Sequence, residues 1–228
     1  AKKFLRSELC ARMIEARVNI VVALPVNPVR MLFARVDLRN HRKLAIIDGT
    51  IAYCGSQNLT DETFRNPRNK KIGPWIDATI RVRGPACQGL QTVFFGDWCL
   101  DSAEEFDTFD PYFPAQTRPG ESVVHVVPSG PGQNPDGIHQ AFLSMIFAAR
   151  SELVMTTPYF VPDEATKAAL INAAMRGVDV TLVVPELLDS ALVAAAGRAH
   201  YEDLLAAGVK VLEHGHSLLH SKTMSVDK

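Results

Sequence analysis

Residues 40–58 read NHRKLAIIDGTIAYCGSQN, and residues 218–228 read LLHSKTMSVDK. Both contain the pattern His-x-Lys followed, after four intervening residues, by Asp: His41, Lys43 and Asp48 in the first, His220, Lys222 and Asp227 in the second. Chance predicts roughly 0.02 such matches in a chain of this composition, so two copies with identical spacing point to an internal duplication. Each copy lies on an apolar, β-branched run, which predicts a strand. Side chains two apart on a strand share a face, so His41 pairs with Lys43 and His220 with Lys222. Asp48 and Asp227 fall at the opposite parity, at strand ends, where a carboxylate is suited to anchoring backbone or a basic partner.

Outward from the motifs, the same order of elements recurs. A helical period over Leu5 to Ala16 precedes a β-branched run from Val18 to Leu24. Helices over Asp163 to Arg176 and Ser190 to Ala207 precede strands over Val178 to Val184 and Val209 to Leu212, with Gly177 and Gly208 as helix stops. Repeated helix-then-strand units imply an α/β fold of two pseudo-symmetric halves, each with a mixed, largely parallel sheet flanked by helices. The stretch Asp101 to Gly120, rich in carboxylate and proline, reads as a linker, giving residues 1–100 as the first half and 121–228 as the second.

Composition narrows the function. The 228 residues are 47% hydrophobic, with 24 basic against 25 acidic side chains, a balance that disfavours a nucleic-acid role. Cys10, Cys54, Cys87 and Cys99 lack metal-ligand or disulfide-scaffold spacing and read as reduced thiols. The longest apolar stretches, Ile20 to Pro25 and Ala191 to Ala196, fall far short of the ~18 residues of a membrane-spanning helix.

Two imidazoles and two ammonium groups are what phosphodiester chemistry without a metal requires. One neutral His attacks phosphorus while the other, protonated, donates to the leaving oxygen. Lys43 and Lys222 then neutralise the non-bridging oxygens in the transition state. Spacing alone leaves the two His roles interchangeable.

Paired motifs of this kind, the first followed by Gly55, Ser56 and Asn58 in a GSxN pattern, resemble the phospholipase D superfamily. Within it, the stretches NHRKLAIIDG, GPWID, HVVPSGPG, IHQAFL, MTTPYFVPD, RGVDVTLVVP and LLAAGVKV resemble bacterial cardiolipin synthases. The resemblance implies transfer of a phosphatidyl group between two phosphatidylglycerol molecules at an anionic membrane surface, with release of glycerol, no cofactor and a cytoplasmic-membrane location. It implies His41 as nucleophile, His220 as acid and base, Ser56 and Asn58 beside the substrate phosphate, and Asp77 as the carboxylate that orients a catalytic imidazole. Both imidazoles are then expected at one phosphorus atom. Hydrolysis on the same scaffold, and a noncatalytic membrane-binding scaffold, are the competing readings; protein partners are not legible.

The same resemblance implies anchoring helices ahead of this stretch, and beyond it a second GSxN-like loop and a second orienting carboxylate. The 228 residues are therefore expected to be an internal piece, weakly active or inactive alone because His220 lacks its supporting shell. Asn27 to Leu38, with Pro28 at a helix start and Arg30, Arg35 and Arg39 nearby, reads either as a helix lying on anionic lipid or as core packing. The glycines of the loop Ser129 to Gly132 are a weak sign of a phosphate cradle; its place in HVVPSGPG implies a loop at the mouth of the site, and an ordinary strand-to-helix turn explains it as well.

Overall fold

The computed structural model describes residues 2–23, 40–60, 74–102, 104–130, 134–188, 190–215 and 217–227. Its first elements are α1 (Lys2–Leu5), α2 (Glu8–Glu15), β1 (Leu44–Ile47), β2 (Ile51–Gly55), β3 (Trp75–Ile76), β4 (Thr79–Arg83) and α3 (Pro85–Asp101). A short 3-10 turn at Asp110–Tyr112 leads to α4 (Gly137–Ala148), β5 (Glu152–Thr156), α5 (Glu164–Met175) and β6 (Asp179–Pro185). The chain continues through α6 (Ala191–Arg198), α7 (Tyr201–Ala206), β7 (Lys210–His214), β8 (Leu218–Leu219) and β9 (Thr223–Val226). The fold is α/β, as the repeated helix-then-strand pattern predicts.

Two compact units emerge: Ala1–Ala52 with Val82–Val124, and Tyr53–Arg81 with His125–Lys228. The second holds a sheet in the order β7-β6-β5-β9, in which β6 runs parallel to both neighbours and β9 antiparallel to β5. Along β6, Val180, Leu182 and Val184 are buried at alternate positions, which is the two-residue period of a strand with one face in the core. They pack with Ile146 of α4, Leu153 of β5, Ala169, Leu170 and Ala173 of α5, and Leu204 of α7. Burying a side chain of this size contributes about 1.5–3 kcal/mol, so this cluster is the principal stabiliser of the unit.

The helix ends follow local chemistry. Asp163 caps α5 by accepting from the Thr166 N–H at 2.8 Å, and Gly177 and Gly208 close α5 and α7 at φ of 89° and 93°, where a Cβ would be strained. The helix expected over Ser190 to Ala207 is instead two, capped by Ser190 and interrupted at Ala199 and His200. The His200 N–H donates to the Gly197 carbonyl, an i→i−3 bond that tightens the chain and ends α6.

In the first unit, α3 buries Cys87, Leu90, Val93 and Phe95. The Phe95 ring meets Phe106, Phe109 and Tyr112 with centroids 5.4, 5.3 and 4.9 Å away, all edge-on. The stretch read as a linker also supplies an aromatic layer to α3 through these apolar rings. The strand expected over Val18 to Leu24 does not form a ladder over 18–23: β-branched composition favours extended backbone, but a strand needs a hydrogen-bonded neighbour. Asn27 to Leu38 lies outside the described residues, as does part of the Ser129 to Gly132 loop.

Leu182 is fully buried at the centre of the second unit. Leu182→Ala is expected to lower stability by about 2–5 kcal/mol in urea unfolding followed by far-UV circular dichroism, and a loss below about 1 kcal/mol would contradict this packing.

Candidate active site

The first motif is fixed to α3 through residues that alternate with it. Asn40 donates its amide to Asp97 at 2.8 Å, and the Arg42 guanidinium bonds the other oxygen of the same carboxylate. Alternation along the extended chain leaves His41 and Lys43 on the opposite side. His41 is exposed, and the Lys43 ammonium donates to the His41 carbonyl at 2.8 Å. Of the expected strand, the ladder starts at Leu44, so His41 and Lys43 lie just ahead of it. Asp48 and Gly49 form the turn into β2, both left-handed at φ of 51° and 63°, with the Thr50 N–H donating to the Ile47 carbonyl. Asp-Gly with two positive φ values is the pairing a tight two-residue hairpin favours.

The second motif repeats the local geometry. The Lys222 ammonium donates to the His220 carbonyl at 2.7 Å, and the ladder of β9 starts after it, at Thr223. Asp227 is again left-handed, at φ 46°. Its carboxylate accepts from the backbone N–H groups of Ser151 at 2.8 Å, Glu152 at 3.1 Å and Arg150 at 3.0 Å, and from the Ser151 hydroxyl at 2.9 Å. These donors, the Ser151 N–H foremost, hold the Asp227 carboxyl at about 2, below its ordinary 3.8. Asp227 therefore ties the end of β9 to the start of β5, the anchoring role its parity suggested.

His220 is the best-supported side chain of the candidate site. The two-residue parallel ladder of β3 and β8 pairs Trp75 with Leu218 and Ile76 with Leu219. Beyond it, the N–H groups of both His220 and Ser221 donate to the Ile76 carbonyl, at 2.8 and 3.0 Å. The residue following β3, Asp77, meets the residue following β8: the His220 Nδ1 and Asp77 Oδ1 are 2.6 Å apart, with side-chain exposures of only 11% and 16%. A carboxylate only accepts, so Nδ1 carries the hydrogen and, in the neutral ring, Nε2 keeps its lone pair. The Ser56 hydroxyl donates to the same Oδ1 at 2.7 Å and accepts from the Ala78 N–H at 3.0 Å. Asn58 follows, half-buried in the bend after β2.

The structure thus brings Ser56, Asp77 and His220 into one hydrogen-bonded chain within the second unit, with Lys222 on the His220 backbone. His41, Lys43 and Asp48 are organised within the first. Sequence reasoning left open which imidazole Asp77 serves and left His220 without a carboxylate; the structure gives Asp77 to His220. Two contributors were missed. Asp97 lies 55 residues from Arg42 with no motif around it, and Trp75 was visible only as a letter in GPWID, although its ring centroid is 4.7 Å from that of His220. Among the described residues, no three His, Cys, Asp or Glu side chains gather as metal ligands would.

Residues 142–228 match the family described as cardiolipin synthase, phospholipase D-like domain. The whole chain is 41% identical, over 230 aligned positions, to Cardiolipin synthase A of Yersinia pseudotuberculosis serotype O:1b (strain IP 31758), covering 47% of that protein. The chain thus spans about half the length of the curated relatives it matches. Among solved structures, Nuc of Salmonella typhimurium, a phospholipase D family member, is 25% identical with a TM-score of 0.37, covering 41% of this chain and 60% of Nuc. Phosphatidylserine synthase of Haemophilus influenzae Rd KW20 is 14% identical with a TM-score of 0.49, covering 82% of this chain and 52% of the synthase.

Because the Asp227 carboxyl titrates lower in the folded chain than in the unfolded one, its stabilisation is complete above about pH 4 and is lost as pH falls through about 2. Thermal melting of the wild type and of Asp227→Asn from pH 6 to pH 2 is expected to give a gap in midpoint that narrows across this window. A gap that stays constant would show that the carboxylate's charge is not what binds β9 to β5.

Proposed function

We propose, from the premise that this chain belongs to the phospholipase D superfamily and is kin along its whole length to bacterial cardiolipin synthases, that the protein joins two phosphatidylglycerol molecules into cardiolipin and releases glycerol. In this reading Nε2 of neutral His41 attacks the phosphorus of one phosphatidylglycerol. The bond from phosphorus to the glycerol oxygen breaks, and protonated His220 gives its Nε2 proton to that departing oxygen. His220, now neutral, takes the proton from a hydroxyl of the second phosphatidylglycerol as that oxygen attacks the phosphohistidine. His41 is released and His220 is protonated again, so the cycle closes without a net change in the enzyme.

The observation that carries this reading is the 2.6 Å contact of Asp77 with His220. It fixes the tautomer, presents Nε2 for proton transfer in both directions, and stabilises the ring when it is cationic. Ser56 supports the carboxylate through its hydroxyl, and Asn58, two residues on, donates its amide to a phosphate oxygen. Lys43 and Lys222, each bonded to the carbonyl of its own histidine, are the cations that neutralise the non-bridging oxygens. Asp48 and Asp227 hold the strand ends. The matching lysine-to-carbonyl bonds and left-handed aspartates favour a duplication, with residues 1–100 and 121–228 as its copies and 101–120 between them.

The substrate class places the reaction at the anionic surface of the cytoplasmic membrane. No helix among the described residues is long and apolar enough to cross a membrane.

Incubating the intact protein with phosphatidylglycerol vesicles and resolving the products tests the reading. Cardiolipin and glycerol are expected in equal amounts. His41→Ala and His220→Ala should each lower the rate about 10²–10⁴-fold or more. Phosphatidic acid in place of cardiolipin would establish hydrolysis, and no product at all would leave only a scaffold.

A further inference from the structure

Strand β3 presents two side chains, not one, to His220. Residues two apart on a strand point the same way, and Trp75 and Asp77 obey that rule. Asp77 meets the imidazole at its Nδ1 edge, while the Trp75 ring lies against it with centroids 4.7 Å apart and planes inclined at 45°. Ile76, between them, turns its side chain elsewhere and gives its carbonyl to the N–H groups of His220 and Ser221. Three consecutive residues therefore hold one imidazole by its backbone, by one edge and by its ring.

We propose that Trp75 is a positioning residue that sets both the orientation of the His220 ring and the stability of its protonated form. The proposal rests on the reading of His220 as the acid and base. Restricting the ring matters because a hydrogen bond at Nδ1 fixes only one point of a side chain that turns about both χ1 and χ2, and the motion that remains swings Nε2 sideways. An indole against the ring closes that freedom, and pre-ordering a proton donor contributes to the rate without touching substrate. The indole also has a negative π face within the ~6 Å range over which a cation is attracted to an aromatic ring. The His220 side chain is only 11% exposed, so that attraction is less screened than on the surface. The imidazole is cationic when it is poised to donate and neutral after it has done so, so a π face stabilises the donor state. Among the described residues, Asp77 bonds Nδ1 and Lys222 bonds the carbonyl, and neither lies in the place of Trp75.

The test replaces tryptophan by 5-fluoro- and 5,7-difluorotryptophan, which keep the shape of the indole and drain its π face stepwise. The titration of His220 is followed by NMR of carbon-labelled histidine, assigned with His220→Ala. The midpoint is expected to fall with each fluorine. In Trp75→Leu, which removes the π face, it should fall by about half a pH unit or more, while Trp75→Phe keeps most of the effect. The alkaline-side dependence of turnover on pH should move with the midpoint. A midpoint indifferent to fluorination, or one that rises in Trp75→Leu, would overturn the proposal. The NMR readout needs no turnover: if the midpoint moves while His220→Ala keeps full activity, the reading of His220 as catalytic fails and the contact with Trp75 stands.

Discussion

The hydrogen bond between Asp77 and His220 is the constraint from which the rest of the second unit takes its meaning. The two residues are 143 positions apart, and what brings them together is a ladder only two residues long on each strand. Such a ladder contributes little by itself. It persists because β8 is buried and because the four-stranded sheet fixes β9, immediately beyond the second motif. Asp227 completes that attachment with four donors on one carboxylate. Packing of Leu153, Leu182 and their neighbours therefore reaches the imidazole through an unbroken sequence of physical links: core, sheet, β9, motif, ring.

The two motifs solve one local problem in the same way and then diverge. Each lysine folds back to the carbonyl of its own histidine. Each aspartate adopts a left-handed backbone, a conformation Asp tolerates better than most residues. Beyond this the environments differ. Asp97 grips the residues alternating with His41, whereas Asp77, Ser56 and Trp75 address the His220 side chain directly. That difference in support is the basis for the proposal that one ring attacks and the other moves protons.

Much of this was legible in the sequence because it is written in short-range patterns. The spacing of His, Lys and Asp, the apolar run of β6, the helix starts near Asp163 and Ser190 and the stops at Gly177 and Gly208 all follow from local rules. The α/β class follows from their order. What was not legible depends on partners distant in sequence. Val18 to Leu24 has strand composition but no ladder over 18–23, and Asp101 to Gly120 has linker composition yet packs Phe106, Phe109 and Tyr112 on Phe95. Asp77 could be placed beside an imidazole by resemblance, but only the β3 and β8 register says which one. Trp75 carried no signal of its own because a tryptophan in an apolar strand is ordinarily core.

The central claim is that Asp77 makes His220 an acid for the departing oxygen, and a change of leaving group tests it most directly. Phosphatidyl-p-nitrophenol releases a phenolate that needs no proton, whereas phosphatidylglycerol releases an alkoxide that does. Comparing Asp77→Asn with wild type on both substrates in single-turnover experiments, the account predicts a defect of about 10²-fold or more with phosphatidylglycerol that largely disappears for release of p-nitrophenolate. Equal defects on the two substrates would contradict it, and would assign Asp77 to holding the fold rather than to proton transfer.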